Sequence, residues 1–203
     1  MSQSRWDKKW EVLHHYNRLA RIYDSLYGEE QNAKIESILE ILKIGCKDLA
    51  LDLGCGTGLL IEHIASKVAH FVGIDLAGKA IKVAAERSRR LRIKENVSLI
   101  RADVDHLPFR DDVFDRIFAL TLLQNVPEPR ETIREMVRVA KGRSQIAVTG
   151  LKKHFTEERF SGIIDRIGEK FILIKTSELH DIIAVVEINK AKNKYVQEEE
   201  IER

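Results

Sequence analysis

The chain has 203 residues, of which 34 are Lys or Arg and 32 are Asp or Glu, with a formal net charge of +2. This length suits a single domain with a sizeable core, and the nearly balanced charge excludes nucleic-acid binding through net charge alone. Cys46 and Cys55 are too few for a disulfide framework and lack metal-site spacing with the histidines, so we predict no metal site.

The N-terminal segment "MSQSRWDKKW" lacks the apolar centre of a signal peptide. No apolar run reaches the ~18 residues of a membrane span. We therefore expect a cytoplasmic protein without membrane contact. Apolar residues at spacings of three and four then predict two helices, over residues 5–23 and 29–43.

Short apolar strands and helices alternate from residue 49 onward. The predicted strands are 49–55, 71–76, 97–103, 114–122 and 144–150, and the predicted helices are near 58–67, 78–92, 130–140 and 156–169. Such alternation is typical of a parallel sheet covered on both faces. Two further strands, 171–179 and 181–190, have almost nothing between them, so they must pair antiparallel.

A glycine-rich loop follows the first strand in "LALDLGCGTGLL". Gly54, Gly56 and Gly58 read G-x-G-x-G, and Leu59 stands where a dinucleotide-binding fingerprint has its third glycine. The Lys-Ser/Thr pair of a P-loop is absent from the loop. Asp52 lies two residues upstream, which suits a ligand with positive charge, and the following helix start offers free N–H groups to a carboxylate. A ligand that carries both a cationic centre and a carboxylate fits best.

Acidic residues also end the next two strands. Asp75 closes the second strand and Asp103 the third. An acid at the tip of the second strand can accept hydrogen bonds from both ribose hydroxyls, and open α/β sheets bind ligands at the carboxyl ends of their strands. The pattern predicts a nucleoside-binding site there.

The segments "LDLGCGTG", "VGIDL" and "ADVDHLPFRDDVFDRIFA", in that order, resemble the class I S-adenosylmethionine-dependent methyltransferases, in particular the group of quinone-biosynthesis and tRNA-wobble enzymes. The resemblance is strong over residues 49–125, fair over 140–190 and looser over 1–30, which resemble a helical lid. It implies an α/β, Rossmann-like, doubly wound sheet of seven strands in the order 3-2-1-4-5-7-6, with strand 7 antiparallel. It also implies S-adenosylmethionine as cofactor, helices over 1–45, a cofactor-binding domain over 46–190 and a charged tail over 191–203.

The resemblance further implies a role for individual residues. The glycine loop would run beneath the methionine part, Asp52 would act near the amino group, Asp75 would hold the ribose, and Asp103 would bond the adenine amine. The full cofactor-binding set would be Tyr16, Tyr23, Asp52, Gly54, Cys55, Gly56, Gly58, Asp75, Leu76, Asp103, Val104 and Leu120.

The acceptor side is less distinctive. Gln124 and Asn125, in the loop after the fourth strand, are the best substrate-facing polar groups by position, and turn or capping roles explain them equally well. His154 could face the cleft as a base, although the sequence favours an exposed loop histidine there. No general base is assigned.

We expect methyl transfer to RNA, tRNA in particular, or to a small metabolite, with RNA favoured by two basic runs alone. The basic residues of these runs are Lys82, Arg87, Arg89, Arg90, Arg92, Lys94 and Arg101, and then Arg130, Arg134, Arg138, Lys141, Arg143, Lys152 and Lys153. Paired charges on a solvated helix face also explain those runs. The alternatives are a cofactor-holding subunit without turnover and an NAD(P)-dependent oxidoreductase. Strand 97–103 is apolar and at the sheet edge in the implied order, which predicts pairing there with a partner or a second copy. Because some members of the resembled family need a small zinc-binding activator at this edge, the resemblance implies such a protein as the partner.

Overall fold

The computed structural model describes residues 4–168, 170–174 and 177–190. Its helices are α1 (Arg5–Leu19), α2 (Tyr23–Leu39), α3 (Leu59–Ile64), α4 (Gly78–Arg90), α5 (Pro129–Val139) and α6 (Glu157–Ile164). Its strands are β1 (Leu49–Leu53), β2 (His70–Asp75), β3 (Val97–Arg101), β4 (Phe114–Ala119), β5 (Ala140–Leu151), β6 (Lys170–Ile174) and β7 (Asp181–Glu187).

One sheet contains all seven strands in the order β3-β2-β1-β4-β5-β7-β6. Strands β1 to β5 pair in parallel, whereas β7 runs antiparallel to both β5 and β6. The predicted fold class and strand order are confirmed. Helical crossovers join most of the parallel strands, as parallel pairing requires.

Side chains of successive strand residues enter two different cores, one on each face of the sheet. Ala50 of β1 and Phe118 of β4 pack with α2 and α3, while Leu51 and Ile117 pack with α5 and α6. This alternation follows from the two-residue period of a strand. Because both faces are covered, the polar ends of the strands are the part of the sheet left open to a ligand.

The N-terminal helices differ from the prediction. A turn over residues 20–22 separates α1 from α2, and α2 continues through Gly28, where the sequence had suggested a break. Gly28 has a helical environment in which an added Cβ would meet only Asp24 Cβ, at 3.9 Å. A glycine costs a helix interior only about 1 kcal/mol, which packing easily offsets.

The C-terminal hairpin is antiparallel as predicted, but its strands are shorter. The structure describes β6 as Lys170–Ile174 and β7 as Asp181–Glu187, where the sequence predicted strands over 171–179 and 181–190. The predicted charged tail over 191–203 lies outside the described residues. Within the described residues, none of the helices combines the length and the apolar character that crossing a membrane would require.

Candidate functional site

A cleft opens at the carboxyl ends of β1, β2 and β4, beneath α1 and the start of α2. Its empty volume, counted with the open mouth, is about 1090 Å³, which is the size of a small-molecule site. Every predicted cofactor residue except Gly58 lines it, as does Asn125. Parallel strands bring these residues together because their carboxyl ends share one edge of the sheet.

The glycine loop is held across the end of β2 by backbone hydrogen bonds. The N–H groups of Gly54 and Cys55 both donate to the carbonyl oxygen of Ile74, at 2.8 and 2.9 Å. Gly56 has a φ of +52°, and its nearest neighbour would lie 3.9 Å from an added Cβ. Glycine at this position therefore meets a backbone requirement and leaves bare peptide facing the cleft.

Gly58 lies behind the cleft, at the N-terminus of α3. Its φ is +78°, and an added Cβ would lie 2.7 Å from Ile61 Cδ1 and 2.9 Å from Ala84 Cβ of α4. The structure therefore gives Gly58 a packing position between α3 and α4, and does not place it among the cleft-lining residues.

Asp52 presents an unusual carboxyl group to the cleft. The residue is 4% exposed, and within the described part of the chain no hydrogen bond reaches its carboxyl. Burial, reinforced by the nearby charge of Asp75, raises the pKa of Asp52 to about 8. A cationic group placed beside it would favour the ionised form and lower that pKa.

Asp75 is bonded on both carboxylate oxygens. Oδ2 accepts from the N–H of Gly56 at 2.9 Å, and Oδ1 accepts from the N–H of Ala77 at 2.7 Å. Burial raises the pKa of Asp75, although these N–H donors act in the opposite direction. The carboxylate thus ties the glycine loop to the start of α4 while still lining the cleft.

Asp103 is paired with a residue that sequence reasoning missed. Lys9 Nζ of α1 lies 2.6 Å from Asp103 Oδ2 and 2.6 Å from Asp105 Oδ2. Burial would lower the pKa of Lys9, but its bonds to the two carboxylates outweigh burial and raise it. A signal existed, because Lys9 shares one face of α1 with Leu13 and Tyr16 at spacings of four and seven.

Two tyrosines cover the cleft from the N-terminal helices. The Tyr16 hydroxyl accepts a hydrogen bond from Asn125 Nδ2 at 3.0 Å, and the Tyr16 and Tyr23 rings lie 6.1 Å apart. Burial raises the pKa of both phenols, so both hold their protons at neutral pH. Their position agrees with the predicted covering role, which stays a prediction.

The three candidate catalytic residues differ in whether they line the cleft. Asn125 lines the cleft and also donates to the carbonyl oxygen of Thr121 at 2.9 Å. Gln124 Nε2 donates to the same carbonyl oxygen at 2.6 Å, and Gln124 is not among the residues that line the cleft. Its buried Oε1 has no hydrogen-bond partner among the described residues. His154 is exposed in the turn after β5, also outside the lining set.

Comparison with known proteins identifies similar sequences and similar folds. Residues 51–148 match the family described as "Methyltransferase domain". The chain is 29% identical over 140 residues to a demethylmenaquinone methyltransferase of Lactobacillus johnsonii, covering 66% of this chain and 57% of that protein. The chain spans about half the length of the curated relatives it matches.

Solved structures share the fold. Magnesium protoporphyrin IX methyltransferase from Synechocystis, with bound S-adenosylmethionine, superposes with a TM-score of 0.75 at 18% identity, covering 90% of this chain and 98% of that one. The complex of the Haloferax volcanii Trm112 methyltransferase activator with a methyltransferase gives a TM-score of 0.70 at 14% identity, covering 86% and 97%.

Proposed function

We propose that this chain, in which residues 51–148 match the family described as "Methyltransferase domain", is a class I S-adenosylmethionine-dependent methyltransferase. It would bind S-adenosylmethionine in this cleft and transfer the methyl group to a small, largely apolar acceptor. The observation that carries the proposal is the unbonded, buried Asp52 carboxyl beside bare loop backbone at Gly56. A ligand that ends in an amino acid supplies a cation for the carboxyl and a carboxylate for the backbone N–H groups.

The residues present fit this cofactor along its whole length. Gly54 and Gly56 would lie under the methionine part, Asp52 near its amino group, Asp75 at the ribose and Asp103 at the adenine. Bound there, S-adenosylmethionine supplies a methyl group already activated on a sulfonium, which departs as a neutral thioether.

The protein's own contribution is positioning and exclusion of water. Tyr16 and Tyr23 close the cleft and keep their protons, and apolar side chains such as Ile35 and Leu120 line the wall. Neither His154 nor Gln124 reaches the lining, so neither supports a base at the transfer site. Orientation of two reactants in a dry site accelerates such a transfer without a base.

The basic runs give little support to an RNA acceptor. Arg87 is buried and bonds the carboxylates of Asp24 and Glu62. Arg138 pairs with Glu135 at 2.7 Å and with Asp111 at 2.8 Å. Such side chains link structural elements and are not free for phosphates. The apolar cleft wall supports a small acceptor, as do relatives named as quinone methyltransferases.

Methyl transfer from tritiated S-adenosylmethionine tests this proposal. We expect the purified protein to label a component of an organic-solvent extract of cells and to leave deproteinised tRNA unlabelled. Tritium label in tRNA alone would overturn the proposal of a small acceptor. If the protein binds S-adenosylmethionine but labels no component of any fraction, a cofactor-holding subunit would be favoured.

We also propose a small activator protein at the β3 edge. Within the described residues β3 pairs with β2 alone, and its side chains from Val97 to Ile100 are only partly buried. A free edge of this kind can accept a further strand. The similar fold that carries the Trm112 activator supports this choice. A soluble monomer that captures no small zinc-binding protein in pull-down would contradict it.

A further inference from the structure

A fully buried ion pair lies beside the cleft, outside every motif described above. Lys34 Nζ of α2 lies 3.0 Å from Asp181 Oδ2 at the start of β7, and the two side chains are 1% and 0% exposed. Desolvating two charges is costly and is often not repaid in stability, so a buried pair calls for a further explanation.

The pair is bonded to the turn that follows β4. Lys34 Nζ donates to Thr121 Oγ1 at 2.9 Å. The Thr149 hydroxyl donates to Asp181 Oδ2 at 2.6 Å, and Thr149 Oγ1 accepts from the backbone N–H of Thr121 at 2.7 Å. Both charges therefore reach the Thr121 hydroxyl directly, since Thr121 Oγ1 also donates to Asp181 Oδ2 at 3.3 Å. Asp181 reaches the Thr121 backbone N–H through Thr149 as well.

Thr121 has an unfavourable backbone conformation. Its φ is +54°, in the left-handed region that β-branched residues rarely adopt. Such outliers persist where the surroundings hold them, and they concentrate at functional sites. Thr121 lines the cleft between Leu120 and Leu122, which line it too.

The turn after β4 also contacts the glycine loop and, through Asn125, Tyr16 of α1. Leu122 Cδ1 lies 3.0 Å from the position of an added Cβ on Gly54, so Leu122 packs directly on the glycine loop. The Thr121 carbonyl oxygen accepts from Asn125, which holds the Tyr16 hydroxyl. A change in this turn would reach both sides of the cleft.

We propose that Lys34 and Asp181 are positioning residues, which hold Thr121 in its left-handed conformation and thereby set Leu120, Leu122 and Asn125 around the bound ligands. The proposal rests on the proposed cofactor site. A purely structural pair would fix α2 to β7 and leave ligand affinity unchanged.

A mutant cycle separates these two roles. The double substitution Lys34→Met with Asp181→Asn removes both charges without leaving one of them buried alone. The double substitution is made both in the otherwise unmodified protein and in a protein that also carries Thr121→Gly. Glycine adopts a positive φ without support from its surroundings, so the second protein no longer needs the ion pair to hold residue 121. Affinity for S-adenosylhomocysteine is measured by calorimetry, and thermal stability is measured in parallel.

We expect the double substitution to weaken S-adenosylhomocysteine binding by about tenfold with Thr121 and by less than about threefold with Gly at that position. The surface pair Lys190–Asp112, 2.6 Å apart, provides the control. Lys190→Met with Asp112→Asn should leave the affinity unchanged. If the double variant does not fold, Thr149→Val, which removes only the hydroxyl link, is measured in the same two backgrounds.

A lower melting temperature with unchanged affinity would overturn the proposal, and so would an equal loss of affinity in both backgrounds. Failure of the unmodified protein to bind S-adenosylhomocysteine would instead refute the cofactor site itself, and with it this inference.

Discussion

Three carboxylates end neighbouring strands, and their surroundings differ sharply. The Asp52 carboxyl lacks a hydrogen bond within residues 4–168, 170–174 and 177–190, Asp75 is bonded by two backbone N–H groups, and Asp103 is paired with Lys9. Only Asp52 has its bonding capacity wholly free for an incoming cation. Asp75 can accept additional bonds from hydroxyls while it shapes the loop.

Asp52 should make stability depend on pH. Its pKa is about 8 in the folded protein against an ordinary 3.8, so the folded state holds this proton more tightly than the unfolded state. The free energy of unfolding should therefore fall as pH rises from about 4 to about 8, by at most about 6 kcal/mol from this group. Asp52→Asn should flatten that fall, measured by urea unfolding between pH 5 and 9.

The exposed Asp165 supplies the control, since Asp165→Asn should leave the pH profile as steep as before. Asp75, whose pKa is raised by burial, should account for part of the slope that remains in Asp52→Asn. Equal slopes with and without the Asp52 carboxyl would contradict its placement in a buried, unbonded environment.

Asp75→Ala should weaken S-adenosylhomocysteine binding by about 1–3 kcal/mol, because it leaves ribose hydroxyls and the Gly56 N–H without an acceptor. Calorimetry at one fixed pH measures the change, with Asp165→Ala as the matched control. Unchanged affinity would remove Asp75 from the cofactor site.

Some site residues were predictable and others were not. The strand-end acids follow from a buried strand, a glycine loop and a repeated βα pattern, all visible in the sequence. Thr121 gave no such signal, because a β-branched residue at a positive φ contradicts local propensity and depends on Lys34 and Asp181, both distant in sequence.

At the scale of elements, Gly58 decides how closely α3 approaches α4. Gly58→Ala should destabilise the protein by about 2–4 kcal/mol, since the new methyl would overlap Ala84 and the backbone φ of +78° disfavours a side chain. Chemical denaturation measures the loss. Gly162→Ala in α6, where an added Cβ meets nothing within 4 Å, should be neutral or stabilising by about 1 kcal/mol. Equal effects at the two positions would contradict this packing.

The periodicity of apolar residues predicted the helices and strands, but it did not predict where they end. Each predicted strand and helix core exists, because a two-residue or a three-to-four-residue apolar period shows which faces are buried. The break expected near Gly28 is absent, since packing overrides the cost of one glycine. β7 begins at Asp181 as predicted and ends at Glu187, three residues before the predicted end, although the Ile188 N–H still donates to the Ser144 carbonyl oxygen at 2.9 Å.

At the scale of the whole molecule, α1 joins the two halves of the sheet across the cleft. Lys9 bonds Asp103 beyond β3, whereas Lys8 Nζ bonds the carbonyl oxygen of Val126 after β4, at 2.7 Å. Entry of a ligand as long as S-adenosylmethionine therefore involves α1 directly. The same closure would exclude water from the apolar wall of the cleft during the proposed methyl transfer.

In the proposed complex, the amino-acid end of S-adenosylmethionine lies over the backbone of residues 54–56. A thermal-shift comparison of S-adenosylhomocysteine, NAD, NADP and ATP against the purified protein tests this directly. We expect a concentration-dependent rise in melting temperature with S-adenosylhomocysteine alone. A rise with NAD or NADP, and none with S-adenosylhomocysteine, would contradict it.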